Sequence, residues 1–501
     1  MHRPSPIENR LGAELAEARP DLVERYSAEL PGARAAVLTR LWRALAHEPL
    51  PWVVRRVRGA HGLALRLADG RALHGPHADP FATGAYVTTV HLDSVAYDDP
   101  ARLTTDLGWP HASGLAAELG HSAASLALSR AGQGAGSREW PAQDWQWEQR
   151  VVDGHPFHPN CRSRPGFSVA EQLAYGPEHR PVVPLETVPV PAGDCLLTGD
   201  WPEELRDGGR LLIPVHPWQA AHVLKGGGAE PWRAGHPLMS LRTLALPDGP
   251  HVKTALSARL TSSVRDISTY SIGAAMALSS FASDLAARTD GLLHVTRTLG
   301  AATADSPDLA AVLRESPQAY AAPGERVLPV AALATTSLPE SPFWMAEFTR
   351  LALTVGLRLL DLGVALEAHG QNLLVVLSAT GAPLRLVYRD LADIRLSPAR
   401  LTRHGITPPD LTGRQVTDDE TVLRRKLFGS LVAGALAGTA GSGPALANAL
   451  ATAADRVPGT PDLTALLEDP LPAKALTLMR LSPQLPGDQW AALPNPLTGA
   501  R

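Results

Sequence analysis

Residues Glu367 to Asp390 read EAHGQNLLVVLSATGAPLRLVYRD. An apolar, valine-rich run leads into the turn ATGAP, and LRLVY leads out, so the stretch predicts a β-hairpin. A hairpin returns the tail of its second strand to the head of its first, which sets Asn372 and Asp390 side by side. Their oxygens, joined by Glu367, make a hard-donor set of the kind that holds Mg²⁺ while the ion keeps waters and bridges phosphates. His369 falls between that candidate metal set and whatever substrate approaches it.

Outward from the hairpin the chain alternates in character. Helical spacing runs from Pro342 to about Glu367 (Phe343, Phe348, Leu351, Val355, Leu359, Leu362) and is predicted to end at His369-Gly370, where glycine can cap. Residues 270–320 are rich in Ala, Ser and Leu and predict helix, as does the chain beyond about 412. Residues 150–260 predict strands and loops, and 52–96 short strands. Helices are predicted over 103–130 and over 10–48, the latter broken at Pro20 and Pro31. Leu427 to Ala454 is uncharged and long enough to span a bilayer. Its Gly/Ala content and Pro444 predict two tightly packed helices instead. With no internal repeat and no long linker, the chain predicts an interlocked α+β body.

Composition narrows the function. The 501 residues are 45% apolar and 19% charged, an ordinary globular mix. At roughly 150 residues per domain this is two to four domains or one compound fold. Basic residues number 46 and acidic 50, a net charge of −4, so no cationic surface advertises nucleic acid. Two cysteines, Cys161 and Cys195, cannot form a disulfide framework, which fits a reducing cytoplasm. The first twenty residues lack the apolar core of a signal peptide. A cytoplasmic protein outside the membrane is expected. Only Lys225, Lys253, Lys426 and Lys474 are lysines, which gives weight to any lysine inside a motif. The run GQGAGS (132–137) follows a helix and is not followed by lysine, so it reads as a surface connection rather than a phosphate loop.

Three more constellations carry chemistry. GHPFHPNCRSRPGF (154–167) holds His155, His158, Arg162 and Arg164. Proline after each histidine forces extended backbone and rules out a helical metal pair, while the guanidinium forks suit carboxylates and phosphates. An anion-binding loop is the reading. LLIPVHPWQ (211–219) places His216, Trp218 and Gln219 at a strand end, where buried N–H groups need partners. VKTALSARLTSSVRD (252–266) reads as a strand with Lys253 early and Thr261, Ser262, Ser263 and Arg265 at its end. Hydroxyls with flanking cations suit a polyphosphate.

GHPFHP…R-x-R-x-G-F, PVHPWQ, K-T-x-L…T-S-S-x-R and HGQN…RD, in that order, resemble the aerobactin-synthetase (IucA/IucC) family of siderophore synthetases, which work without a non-ribosomal peptide assembly line. The resemblance implies a cupped-hand fold: a thumb (1–110), mixed α/β fingers (111–330) and a largely helical palm (331–501), with ATP between fingers and palm. It implies an ATP-dependent ligase that adenylates a carboxylate of citrate, a succinyl group or a related acid. An amine, hydroxylamine-bearing polyamine or alcohol then attacks, giving an amide or ester with AMP and pyrophosphate released. It implies that Ser263 and Arg265 hold the ATP phosphates, with Thr261 and His158 nearby and Lys253 in support. Glu367, Asn372 and Asp390 would be magnesium-side residues, and His369 and Gln371 would face the carboxylate and nucleotide. Arg162 and Arg164 would bind the substrate carboxylate, and His369 would help the amine lose its proton. Homodimers are common among relatives. Three departures stand out: Arg162 where the family usually has lysine, Asp266 where it has threonine, and a later lysine missing, with Arg288 or Arg297 as substitutes. Two rival readings are a kinase-like phosphotransferase, which would release ADP, and a non-catalytic binder of ferric siderophore or citrate.

Overall fold

The hairpin is present. Leu373–Leu377 pairs antiparallel with Pro383–Tyr388, Leu373 lies opposite Tyr388, and one step further the Arg389 N–H donates to the Asn372 carbonyl at 3.0 Å. The computed structural model describes residues 4–498 other than 85, 135–138, 226, 227, 248 and 262, and of Ser263 the backbone. Every residue of Leu373–Leu377 is buried, because the hairpin forms the middle of a four-stranded sheet between Leu293–Val295, joined in parallel, and Arg326–Pro329. A strand covered on both faces reads as a continuous apolar run rather than an alternating one. The long helix Pro342–Leu362 packs beside it, with Phe348, Leu351, Val355 and Leu359 in the same core. It stops earlier than predicted, at Gly363, whose φ of +107° suits a glycine cap; a Cβ there would stand 2.9 Å from the Ser397 carbonyl oxygen.

A nine-stranded sheet forms the second scaffold, with His251–Thr254 near its middle between Thr243–Ala245 and Ala310–Arg314. Here the prediction of helix over 270–320 fails in part. Thr269–Gly273 and Ala275–Ala286 are helical, but Thr298–Thr303 and Ala310–Arg314 are strands of this sheet. Small side chains that favour helix in isolation also fit a crowded sheet interior, and burial on both faces decides. The stretch 252–266 is likewise two strands and a separate hairpin arm, turning at Thr261 (φ +58°).

At the N-terminus, Pro31 lies inside the helix Val23–His47 rather than breaking it. An internal proline costs about 3 kcal/mol, offset here by burial of Leu30, Leu38, Leu41, Trp42 and Leu45 against the helix Ala112–Ala131. The core these helices build also takes in Ala475, Leu478 and Leu481 from the far end of the chain. That end is not all helix as predicted: Leu471–Lys474 pairs with Trp490–Leu493. Glu48 receives the Thr477 and Leu478 N–H groups at 3.1 and 2.7 Å, tying the C-terminal segment to the first body. The uncharged stretch is two packed helical pieces turning at Gly441, and among the described residues no helix is long and apolar enough to cross a membrane. Residues 135–138 of the GQGAGS run lie outside the described residues.

Candidate active site

Sheet, hairpin and loop meet around Asp390. It follows the second hairpin strand at φ +72°, a strained conformation for a residue with a side chain. Lys253, from the middle of the large sheet, holds both carboxylate oxygens at 2.9 and 2.8 Å. Arg314, on the neighbouring strand, stands 3.8 Å away, and Arg242 is close enough to add its field. These cations hold the Asp390 carboxyl far below the usual range, while burial and the flanking guanidiniums pull Lys253 down. The motif strand and the hairpin are thereby locked at one point.

Glu367 is likewise claimed by lysine: Lys426 at 2.8 Å and Lys474 at 3.1 Å. Lys426 also binds Asp393 at 2.6 Å. Three of the chain's four lysines therefore converge here. His369 is within the field of Glu367, Lys474, Lys426 and Asp390, and burial lowers its pKa. Its Nδ1 accepts the Gln371 N–H at 3.2 Å, so the neutral ring carries its proton on Nε2. Such a ring donates. This corrects the expectation that His369 takes a proton from an amine. The Asn372 amide makes only a long contact, 3.5 Å, to the Glu367 carbonyl.

Arg265 faces the same place, within the field of Asp390 and Glu367. Its guanidinium makes a weak 3.4 Å bond to the Leu260 carbonyl, and among the described residues no carboxylate lies within ion-pair distance. The turn before it is pinned to the first motif loop, where the Thr261 N–H donates to the Ser163 carbonyl at 3.2 Å. His158, buried in that loop, accepts the Asn160 N–H at 3.0 Å through Nδ1, and its Nε2 has no partner. Burial first, then Arg265, pushes it down to about 3. Ser262 and the side chain of Ser263 lie outside the described residues.

Arg162 and Arg164 do not join this cleft as expected. Both are buried against Glu178, Arg162 Nη1 at 3.4 Å and Arg164 Nη1 at 2.8 Å, and Arg162 also donates to the Val151 and Val152 carbonyls. A carboxylate from inside the protein fills the place foreseen for substrate. The loop is held instead by Arg40, which donates to the carbonyls of Asp153, His155 and Pro156. In PVHPWQ, His216 accepts the Trp218 N–H and Gln219 bridges Ser257 and the Asp308 carbonyl, as a structural role requires, but the buried His216 Nε2 has no partner among the described residues. Asp266 is exposed, with Arg242 donating to its carbonyl at 2.8 Å. Arg297 is exposed on Glu315, and Arg288 is exposed; the lysines that reach Glu367, Lys474 and Lys426, come from the C-terminal third.

The donor chemistry fits a polyphosphate: an unpaired guanidinium, an unpartnered imidazole N–H and lysines converge. It does not fit a ready magnesium cage. Glu367 and Asp390 are each lysine-bound, and among the described residues no three His, Cys, Asp or Glu side chains form a metal-holding group.

Comparison with known proteins follows the same lines. The IucA / IucC family profile matches residues 144–335, and the profile described as ferric iron reductase FhuF-like transporter matches 342–443. The citryl-spermidine/3,4-dihydroxybenzoyl-citryl-spermidine:spermidine ligase of Bacillus anthracis is 25% identical over 312 residues, 49% of this chain and 50% of that protein. The chain thus spans about half the length of that curated relative. Among solved structures, the petrobactin biosynthesis protein AsbB of Bacillus anthracis str. Sterne superposes with a TM-score of 0.79 at 17% identity, over 97% of this chain and 98% of that one. ATP-bound aerobactin synthetase IucA of Klebsiella pneumoniae gives 0.72 at 20%, over 93% and 99%. The resemblance to the IucA/IucC family holds over residues 144–335, which contain the first three motifs, while HGQN…RD lies in the FhuF-like match, and the whole is set in a mixed α+β fold shared with these proteins.

Proposed function

We propose that the chain is an ATP-dependent, AMP-forming carboxylate–amine ligase of siderophore biosynthesis. A carboxylate oxygen of citrate, a succinyl group or a related acid attacks the α-phosphorus of ATP, and the bond to the β-phosphate breaks, releasing pyrophosphate. An amine, a hydroxylamine-bearing polyamine or an alcohol then attacks the acyl carbon. The bond to AMP breaks and the nucleophile loses a proton. The observation that carries this reading is the convergence of Arg265, His158, His369 and the Lys253–Asp390 pair, from separated motifs, on one cationic cleft.

In this reading Arg265 neutralises charge on the phosphates, which otherwise repel an attacking carboxylate, and His158 and His369 donate Nε2–H groups to oxygens that gain charge. Lys253 and Arg314 fix Asp390, and Lys426 and Lys474 fix Glu367, so the cleft is preorganised. Thr261 holds the phosphate-side turn beside the first motif loop, and Gln371 lies next to His369 facing the nucleotide. ATP lies between the fingers and the palm. Mg²⁺ enters the proposal as the nucleotide's counter-ion; no step runs through it.

The FhuF-like match carries no redox reading here, because residues 342–443 contain no cysteine and the two in this sequence, Cys161 and Cys195, are fewer than the four thiolates of an all-cysteine iron–sulfur centre. The test is carboxylate-dependent exchange of labelled pyrophosphate into ATP, with hydroxylamine trapping across citrate, 2-oxoglutarate, succinate and succinylated hydroxamates. Exchange with AMP formation is expected, lost in Arg265→Ala and His369→Ala while both stay folded. ADP as product would establish a phosphotransferase, and no exchange with any acid a non-catalytic binder.

A further inference from the structure

We infer that Glu148 and Arg389 are positioning residues for His369: they fix Gln371, whose backbone sets which ring nitrogen of His369 carries the proton. The inference deepens the ligase reading, on which its kinetic half rests.

Arg389 is the residue of the R-D motif that the cleft leaves unassigned. Its buried guanidinium holds the head of the hairpin, where Nε and Nη2 both donate to the Gln371 carbonyl, at 3.1 and 2.9 Å. Nη2 also lies 2.7 Å from Glu148 Oε1. Glu148, itself buried, takes the Met239 N–H at 2.8 Å through its other oxygen. One carboxylate thereby joins the short helix Asp144–Glu148, the loop at Met239 and the hairpin. At the start of that helix Asp144 stands 3.0 Å from His251, on the same sheet strand as Lys253. The helix thus braces the two scaffolds that Lys253 and Asp390 join.

The turn that presents His369 is held by its carbonyls. That of His369 accepts the Asn372 and Leu373 N–H groups, each at 3.0 Å, and that of Gly370 accepts the Ala331 N–H at 2.8 Å. The Gln371 carbonyl is held by the Arg389 side chain, so a substitution can release it. Gln371 also donates its N–H to His369 Nδ1 at 3.2 Å. That bond keeps Nδ1 an acceptor and leaves Nε2–H to donate. It sits at the long end of the normal range, so a small movement of Gln371 loses it. A buried ion pair is often no more stabilising than apolar side chains of the same volume, so stability alone does not account for this one. A planar fork can meet a carbonyl and a carboxylate together; an ammonium is a point charge.

Nitrogen NMR of the histidine rings in the full chain reads the tautomer, with the His369 signals identified by their loss in His369→Gln. Pyrophosphate exchange reads the rate. Wild type is expected to show His369 as a single Nε2–H tautomer. Arg389→Met should mix the two tautomers and lower kcat per folded molecule by roughly 10²-fold, the scale of a small misplacement, with KM for ATP within about threefold. Arg389→Lys, which keeps a donor without the fork, should recover part of that loss. Glu148→Gln keeps an acceptor for Met239, removes the charge and should mix the tautomers less, costing about tenfold in kcat. A wild-type Nδ1–H tautomer overturns the inference, and so does an unmixed Nε2–H tautomer in Arg389→Met. A mixed tautomer with kcat per folded molecule unchanged overturns it as well, because the pair is then a structural tie that moves only the urea midpoint. Should Arg389→Met fail to fold, Glu148→Gln decides by the same criteria. The two readings fail separately: no exchange in wild type with any acid removes the ligase, and the tautomer then decides the positioning alone.

Discussion

Two arginine neighbourhoods in this molecule look alike in sequence and behave as opposites. Arg162 and Arg164 close around Glu178, which the turn Pro177–His179 brings in from 14 residues beyond Arg164. Arg265 lies in a motif too, yet the fold gives it no carboxylate within ion-pair distance among the described residues. The first set is electrically complete without a ligand and stiffens the loop it sits in. The second leaves positive charge for something that is not protein. An arginine's role follows from whether the fold supplies its counter-ion, and the motif around it does not say.

Glu178 is where the contrast breaks most visibly. Glu178→Ala leaves buried guanidiniums facing each other, and removing one partner of a buried pair costs about 3–5 kcal/mol. The urea midpoint should fall accordingly; an unmoved midpoint with a raised KM for the acid would return Arg162 and Arg164 to the substrate. Arg265→Ala should do the reverse. Removing one charge-stabilising donor lowers turnover by roughly 10²–10³-fold, so pyrophosphate exchange collapses while the urea midpoint holds. A large stability loss with exchange intact per folded molecule would make Arg265 structural.

Acid sharpens the same contrast. The closed neighbourhood contains His179, near Glu178, and His121, whose Nδ1 accepts the Arg164 N–H at 3.3 Å. Burial holds each down at about 4, below the unfolded value of about 6.5. Between those pH values the unfolded chain binds more protons than the folded one. Stability is therefore full above about pH 6.5 and is lost as pH falls toward 4, by up to about 1.4 kcal/mol per pH unit for each histidine. Urea midpoints at pH 7.5, 6 and 5 should decline in step, and a flat series would mean that these rings protonate within the folded state.

What was legible in the sequence follows from the range of each cause. The hairpin and its ends were readable because turn chemistry and a five-residue apolar run are local. The family was readable because the motifs are local as well. The strands at Thr298–Thr303 and Ala310–Arg314 were not, since Ala and Ser carry no β signal until neighbouring strands bury them. Lys426 and Lys474 lie in the C-terminal third, outside any motif; Lys426 reaches Glu367 from the helix Glu420–Leu427, and Lys474 through the returning segment that Glu48 anchors. The scarcity of lysine was the one signal that could have flagged them. Glu178 had none, being a lone acid in a turn.

The smallest effect separates a surface charge from either neighbourhood. Arg297 is one of the two arginines offered in place of the family's missing lysine. In the fold its side chain is 63% exposed and pairs with Glu315. Exposed pairs contribute about 0–1 kcal/mol and are screened by salt. Arg297→Ala should therefore shift the urea midpoint by no more than that pair is worth and leave pyrophosphate exchange within about twofold of wild type, a change worth about 0.4 kcal/mol. Lys474→Met, by contrast, frees Glu367 of one of its two lysines inside the cleft and should lower exchange well beyond that. If the order were reversed, with Arg297→Ala the more damaging, the missing cation would come from the fingers side, and the returning C-terminal segment would be scaffold only.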